Sequence, residues 1–230
     1  MKRKTPKKVK ARKKGGAAKK SAKKAGAASR RPAAVKAKAK AGARAKPARA
    51  AVSMRGLGLK ETAAAVFGRL SANGHDPMLC GQSCAAIYGG SGIKAGGIEI
   101  AIREFSLGPV GKLMSELGFA HKEARTFSCD VSPFEVTLLA APLMIGDDSV
   151  SGSRTIKTKM GPLKLVTPTD CVRQRLSMFY RWGDRAALAD AVQVAKRQAV
   201  DMELIARWSE WEWATDRFQE FLQALKEARG

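Results

Sequence analysis

Apolar positions along residues 59–72, LKETAAAVFGRLSA, recur at helical spacing through Leu59, Ala63, Val66, Phe67 and Leu70. They stop at Asn73-Gly74, which predicts a first helix. The short apolar run at 77–80 reads as a buried strand, and Gly81 then opens a small-residue helix, QSCAAIY. A glycine-rich connection at 89–97 leads into a strand at 98–102, whose alternation puts Gly97, Glu99 and Ala101 on one face.

A further helix is predicted at 109–117, closed by Gly118. Strands follow near 126–131, 134–139, 154–159 and 163–166, separated by turn signals at Ser132-Pro133, Gly146-Asp147-Asp148 and Met160-Gly161-Pro162. Thr167 is placed to cap a new helix, with Pro168 at its first position and Asp170 at its third. Helices are expected at 168–182, 185–199, 201–208 and 211–228. Trp182, Trp208, Trp211 and Trp213, with Phe218 and Phe221, lie along them and read as a core stripe rather than a platform for stacking bases. The pattern predicts an α/β (α+β) domain with a mixed sheet at 54–166 and a helical region at 167–230, with no internal repeat.

Charge separates the first 53 residues from the rest. Of the chain's 43 Lys and Arg, 21 fall in residues 1–50, which contain no Asp or Glu; the remaining 22 face all 20 acids. Residues 1–50 have no aromatic residue and only Val9 and Val35 as larger apolar side chains after Met1, too little to offset the entropy of ordering them. The N-terminal segment is expected to be a disordered polycation that binds phosphate backbones without reading sequence, through Lys2, Arg3, Lys4, Lys7, Lys8, Lys10, Arg12, Lys13, Lys14, Lys19, Lys20, Lys23 and Lys24. Its KKSAKKAG texture resembles the Lys/Ala-rich tails of linker histones and bacterial histone-like proteins. Of Arg173, Arg175, Arg181 and Arg185, some are expected to face solvent and to extend that basic surface onto the helical region.

Several chemistries are excluded on spacing. GPVGKL at 108–113 lacks the first Gly of a phosphate-binding loop, where Ser106 stands, and has Leu113 in place of the metal-binding hydroxyl. His75 and His121 lack the spaced partners of a triad or a metal cluster, and Cys80 and Cys84 have no second pair to complete a zinc site. All four cysteines read as reduced, buried small hydrophobes. With no secretory apolar region and no run of membrane-spanning length, a cytoplasmic protein is expected, with nucleoid association open.

The order MLCGQSCAAIYGG, GGIEIAI, FEVTLLAAPLMIGDD and LKLVTPTDCVRQRL…WGDRAAL resembles small nucleotidyltransferase-like proteins of the DNA polymerase β superfamily. The bacterial group that includes the abortive-infection nucleotidyltransferase toxins is the nearest in pattern, and the likeness covers roughly residues 57–225. The resemblance implies a Gly-Gly or Gly-Ser turn opening a helix whose N–H groups hold nucleotide phosphates, an Asp-x-Asp on the next strand, and a third carboxylate on a neighbouring strand. Together these would hold Mg²⁺ for phosphoryl transfer.

Here the turn is Gly81-Gln82-Ser83, the Asp-x-Asp aligns with Gly97-Ile98-Glu99, and Glu135 is the candidate third acid. Glu99 and Glu135 are therefore the candidate catalytic residues, Glu99 the candidate metal ligand, and Gly81, Gln82 and Ser83 the candidate phosphate-binding residues. Three functions remain open at this stage. One is a degenerate member acting as a binding module, its tail on nucleic acid and its body on a partner protein; another is an active enzyme using Mg²⁺ and a nucleoside triphosphate to modify RNA or protein. The third is a histone-like protein acting through the tail.

Overall fold

Helix α1 (Leu59–Ala72) occupies the predicted span and buries Ala63, Val66, Phe67 and Leu70, the residues whose spacing defined it. In the computed structural model, residues 53–103, 106–150 and 152–230 are described, all within the unit Pro47–Gly230. The basic residues Lys2 to Lys24 lie outside them.

A mixed seven-stranded sheet forms the first half. Its strands are β1 (Met78–Cys80), β2 (Gly97–Ile102), β3 (Ala120–Glu123), β4 (Thr126–Ser128), β5 (Glu135–Ala140), β8 (Ser153–Thr158) and β9 (Gly161–Val166), in the order β3-β4-β5-β2-β1-β9-β8. β6 (Met144–Ile145) and β7 (Asp148–Ser149) make a separate hairpin. β1 runs antiparallel to β2 and parallel to β9, while β2 runs parallel to β5. The parallel joins need the long crossovers that the helices supply.

Alternation along the central strands sorts their side chains. Leu79, Ile98, Ile100, Val136, Leu138, Leu163 and Leu165 are all fully buried. They share one sheet face by register, and α1 packs with α3 (Leu107–Ser115) on that side. The opposite face carries Cys80, Glu99 and Thr137 in one row and is covered by α2 (Gly81–Gly89). Gly97, Glu99 and Ala101 share this face, as the alternation required.

The second half is helical: α4 (Pro168–Trp182), α5 (Arg185–Arg197), α6 (Met202–Trp211) and α7 (Thr215–Arg229). Thr167 caps α4 as expected, its Oγ1 accepting from the Asp170 N–H at 3.1 Å and donating to the Asp170 carboxylate at 2.9 Å. Asp184 and Asp201 cap α5 and α6 in the same way, and Gly183 ends α4 in the left-handed conformation. Residues of both halves belong to one hydrophobic cluster, with Tyr88 of α2 donating its hydroxyl to the Val166 carbonyl at 2.8 Å. Among the described residues no helix is long and apolar enough to cross a membrane.

Two expectations about the helical region change. Trp208, Phe218 and Phe221 are buried, Trp208 donating its indole N–H to the Ile145 carbonyl, but Trp182, Trp211 and Trp213 are exposed, so the stripe is half core and half surface. Arg173 and Arg175 do not extend a basic surface: Arg173 is fully buried between Asp148 and Asp170, 5.1 Å over the Trp208 ring, and Arg175 lies against Asp190. A guanidinium removed from water needs such carboxylate partners. Arg181 and Arg185 do reach solvent, each in an ion pair, with Glu212 and Glu220.

Candidate functional site

Strand β1 ends at Cys80 and the chain turns directly into α2 through Gly81, whose φ of +60° suits glycine. Cys80 offers no side-chain cap, so the first N–H groups of the helix need other acceptors. They find them in distant side chains. The Gln82 N–H donates to Glu99 Oε2 at 2.6 Å and the Ser83 N–H to the same oxygen at 3.4 Å. The Gly81 N–H donates to Gln174 Oε1 at 3.0 Å. Ser83 Oγ donates to the Cys80 carbonyl at 2.9 Å and accepts from the Glu99 N–H at 3.1 Å, tying the turn to β2 through the backbone as well. A Cβ at residue 81 would run into the Glu99 carboxylate, so this close approach also depends on glycine.

A negative charge at a helix N-terminus is favoured by the helix dipole and by charge-assisted hydrogen bonds. Glu99 thus fills, from within the chain, the position that the Gly81-Gln82-Ser83 turn offers to an anion. The helical region braces the same turn. Gln82 Nε2 donates to Asp190 Oδ2 at 3.3 Å; the Arg175 Nε lies 3.3 Å from Asp190 without hydrogen-bond geometry, and its Nη2 lies 4.0 Å from Asp184. Burial raises the Asp190 carboxyl above the usual carboxylate range, against the opposing pull of Arg175 and of the Gln82 bond.

Glu135 lies on the same sheet face as Glu99, because β2 and β5 pair in parallel with Gly97 opposite Glu135 and Thr137 opposite Glu99. The two acids are therefore one diagonal step apart, about 7 Å along the sheet. Glu135 accepts from Lys122 Nζ at 2.6 Å near the surface, and that partner raises the Lys122 ammonium. Thr137 Oγ1 lies 3.2 Å from Thr126 Oγ1 in the same region.

Mg²⁺ asks for several oxygen ligands in near-octahedral order. Gly97 supplies no side-chain ligand, the Glu99 carboxylate is held by backbone N–H groups, and Glu135 is held by Lys122. Among the described residues no group of three or more His, Cys, Asp or Glu is arranged to hold a metal. The donor set does not fit a two-metal centre. Nor do the neighbouring thiols supply a nucleophile: Cys80 and Cys84 are buried, and burial pushes both thiols far up toward the neutral form.

The expected residues Gly81, Gln82, Ser83 and Glu99 are thus in mutual contact, with Glu135 beside them but separately paired. Sequence reading missed Gln174 and Asp190, which meet the turn across separations of about ninety residues or more, and the contact of Arg175 with Asp190. Their only local signal was the helix caps that fix α4 and α5.

No protein-family model matches the chain, and no curated protein does. Among solved structures, the chain is similar to an antigenic nucleotidyltransferase-like protein from Paracoccidioides brasiliensis, with 15% identity over 60% of this chain and 73% of that one and a TM-score of 0.46. It is also similar to the antibiotic-resistance factor ANT(2'')-Ia, with 10% identity over 74% of this chain and 96% of that one and a TM-score of 0.43.

Proposed function

We propose that this chain is a nucleotidyltransferase-like binding module that has given up metal-dependent transfer and whose basic N-terminal segment attaches it to nucleic acid. The observation that carries the reading is the Glu99 carboxylate seated on the N–H groups of Gln82 and Ser83. In a working enzyme of the kind the sequence resembles, that turn receives phosphate and that strand presents acids to a metal. Here the strand's one acid is spent on the turn, and Gly97 replaces the other.

The arrangement of strand, glycine-opened helix and antiparallel strand, with Glu135 on the parallel neighbour, supports descent from such a site. Its internal satisfaction supports loss of the reaction. The bracing of the turn by Gln174 and Asp190 supports a rigid body rather than one that opens to admit a nucleotide. Attachment to nucleic acid rests on the 21 cationic side chains of residues 1–50, which release counterions on binding phosphates.

Calorimetric titration of the full chain with ATP, GTP, CTP and UTP, with and without Mg²⁺, tests the body. Heat independent of Mg²⁺ and abolished by added salt is expected, reflecting the basic segment alone. Metal-dependent saturation that disappears in Glu99→Gln, together with transfer of the nucleotide to RNA or protein, would show an active enzyme and overturn the proposal.

A further inference from the structure

Three tryptophans sit at one end of the helical region with 75%, 70% and 96% of their surface exposed: Trp182, Trp211 and Trp213. Trp182 follows Arg181 at the end of α4, Trp211 and Trp213 bracket Glu212 at the end of α6, and Arg181 and Glu212 pair at 3.5 Å, so the three tryptophans stand where these two helix ends meet. Single exposed apolar residues are ordinary, but grouped tryptophans mark interaction surfaces. A hollow of about 230 Å³ lies within the patch, walled by Tyr180, Trp213, Asp216, Arg217 and the Arg181–Glu212 pair.

The backbone at Trp213 adds an independent sign. The Trp213 N–H donates to the Glu210 carbonyl at 3.0 Å and the Ala214 N–H to the Ser209 carbonyl at 2.9 Å, which is the closure that ends a helix with a left-handed residue. Glycine is the usual choice there. This chain instead holds tryptophan at φ +55°, with its ring in solvent. Strain kept at an exposed aromatic residue points to a use for that residue.

The charges select the occupant. Arg181 is paired with Glu212, and Arg217 donates to the carbonyls of Phe179 and Tyr180 while lying over the Phe179 ring. Glu210 and Asp216 make no ion pair with any described residue. Arg217 keeps its charge, so the patch sets three carboxylates, Glu210, Glu212 and Asp216, against two guanidiniums, Arg181 and Arg217, a balance of one negative charge. That balance disfavours phosphates, whereas indole faces and the surplus carboxylate together attract ammonium and guanidinium groups. We infer that the Trp182–Trp211–Trp213 patch is a docking site for a Lys/Arg-rich protein segment, with one basic side chain entering the hollow beside Trp213 and Asp216. It is independent of the Glu99 site, and neither fate of the proposed function decides it.

The test follows the four indole N–H signals of the ¹⁵N-labelled full chain by NMR during addition of a short Lys/Arg/Ala peptide. The signals of Trp182, Trp211 and Trp213 are expected to shift saturably while that of buried Trp208 stays. A matched peptide with Gln at every basic position is expected to leave all four in place. Equal shifts with the Gln peptide, shifts produced by a single-stranded oligonucleotide in place of the basic peptide, or shifts that follow protein concentration alone would each overturn the proposal.

Trp213→Gly separates binding from folding. Relieving the left-handed position raises the thermal midpoint, by about 2–4 °C, while peptide affinity falls at least about tenfold, the scale of a lost anchor residue. A variant that folds with a raised midpoint and binds the peptide as tightly as the parent would sink the idea.

Discussion

The turn at Gly81 and the surface around Trp213 are opposites. At the first, an exposed-looking device, a helix N-terminus after a glycine, has every early N–H answered by Glu99 or Gln174. At the second, large apolar rings and two carboxylates are left unanswered. A group already satisfied inside the chain has little to offer a ligand, because binding must first break what exists. The resemblance in sequence points to the closed end, and the unsatisfied surface points to the open one. Function is better sought where the fold leaves interactions unmade.

The sharpest way to break this comparison is to truncate tryptophans one at a time and follow thermal unfolding. Trp208 is buried, bonded through its indole N–H and stacked on Tyr180 with ring centroids 5.4 Å apart. Trp208→Ala should cost about 3–5 kcal/mol. Trp211→Ala should stay within about 0.5 kcal/mol, as surface substitutions do. Comparable losses in the two variants would mean that the exposed rings are structural after all, and the open end would lose its meaning.

Next in size is the closed end. Glu99→Ala removes the acceptor of two helix N–H groups and should cost about 1–2 kcal/mol. It also vacates an anion site. Inorganic phosphate should then raise the thermal midpoint of the variant and leave that of the parent unmoved. Phosphate stabilising both equally would show that Glu99 does not occlude the turn. Gly81→Ala acts on the same contact from the other side, combining a left-handed backbone with a collision against Glu99, and should cost about 1–3 kcal/mol.

Much of this contrast was legible before the structure, for local reasons. The face shared by Gly97, Glu99 and Ala101 follows from a period of two, and the cap at Thr167 follows from the fixed offset of Asp170. Strand β3 was missed because Ala120, His121, Lys122 and Glu123 are all exposed and carry no alternation. The hairpin of β6 and β7 was missed because its strands have two residues each. Trp182, Trp211 and Trp213 were misread because helical spacing reports which side of a helix a residue is on, not whether another element covers its end. The clamp of Gln174 and Asp190 on the turn joins residues far apart in the chain, which no local pattern encodes.

The smallest effect concerns Asp190, which joins the closed end to the helices. Burial raises its carboxyl, so between the unfolded value and the folded one the native chain holds a proton that the unfolded chain has released. Its contribution to stability is fully present below the unfolded value and is lost as pH rises through the folded one. Asp190→Asn keeps an oxygen for the Gln82 bond but has no proton to lose. Thermal midpoints of parent and variant, measured in steps upward from about pH 4, near the unperturbed carboxylate value, should therefore diverge, the variant gaining on the parent as pH increases. The attraction of the ionised carboxylate to Arg175 appears only as Asp190 loses its proton and is already contained in the net upward shift, so it does not reverse that trend. Parallel curves would mean that Asp190 titrates as if exposed and that the α5 side of the clamp is loose. The turn would then be braced by Glu99 and Gln174 alone.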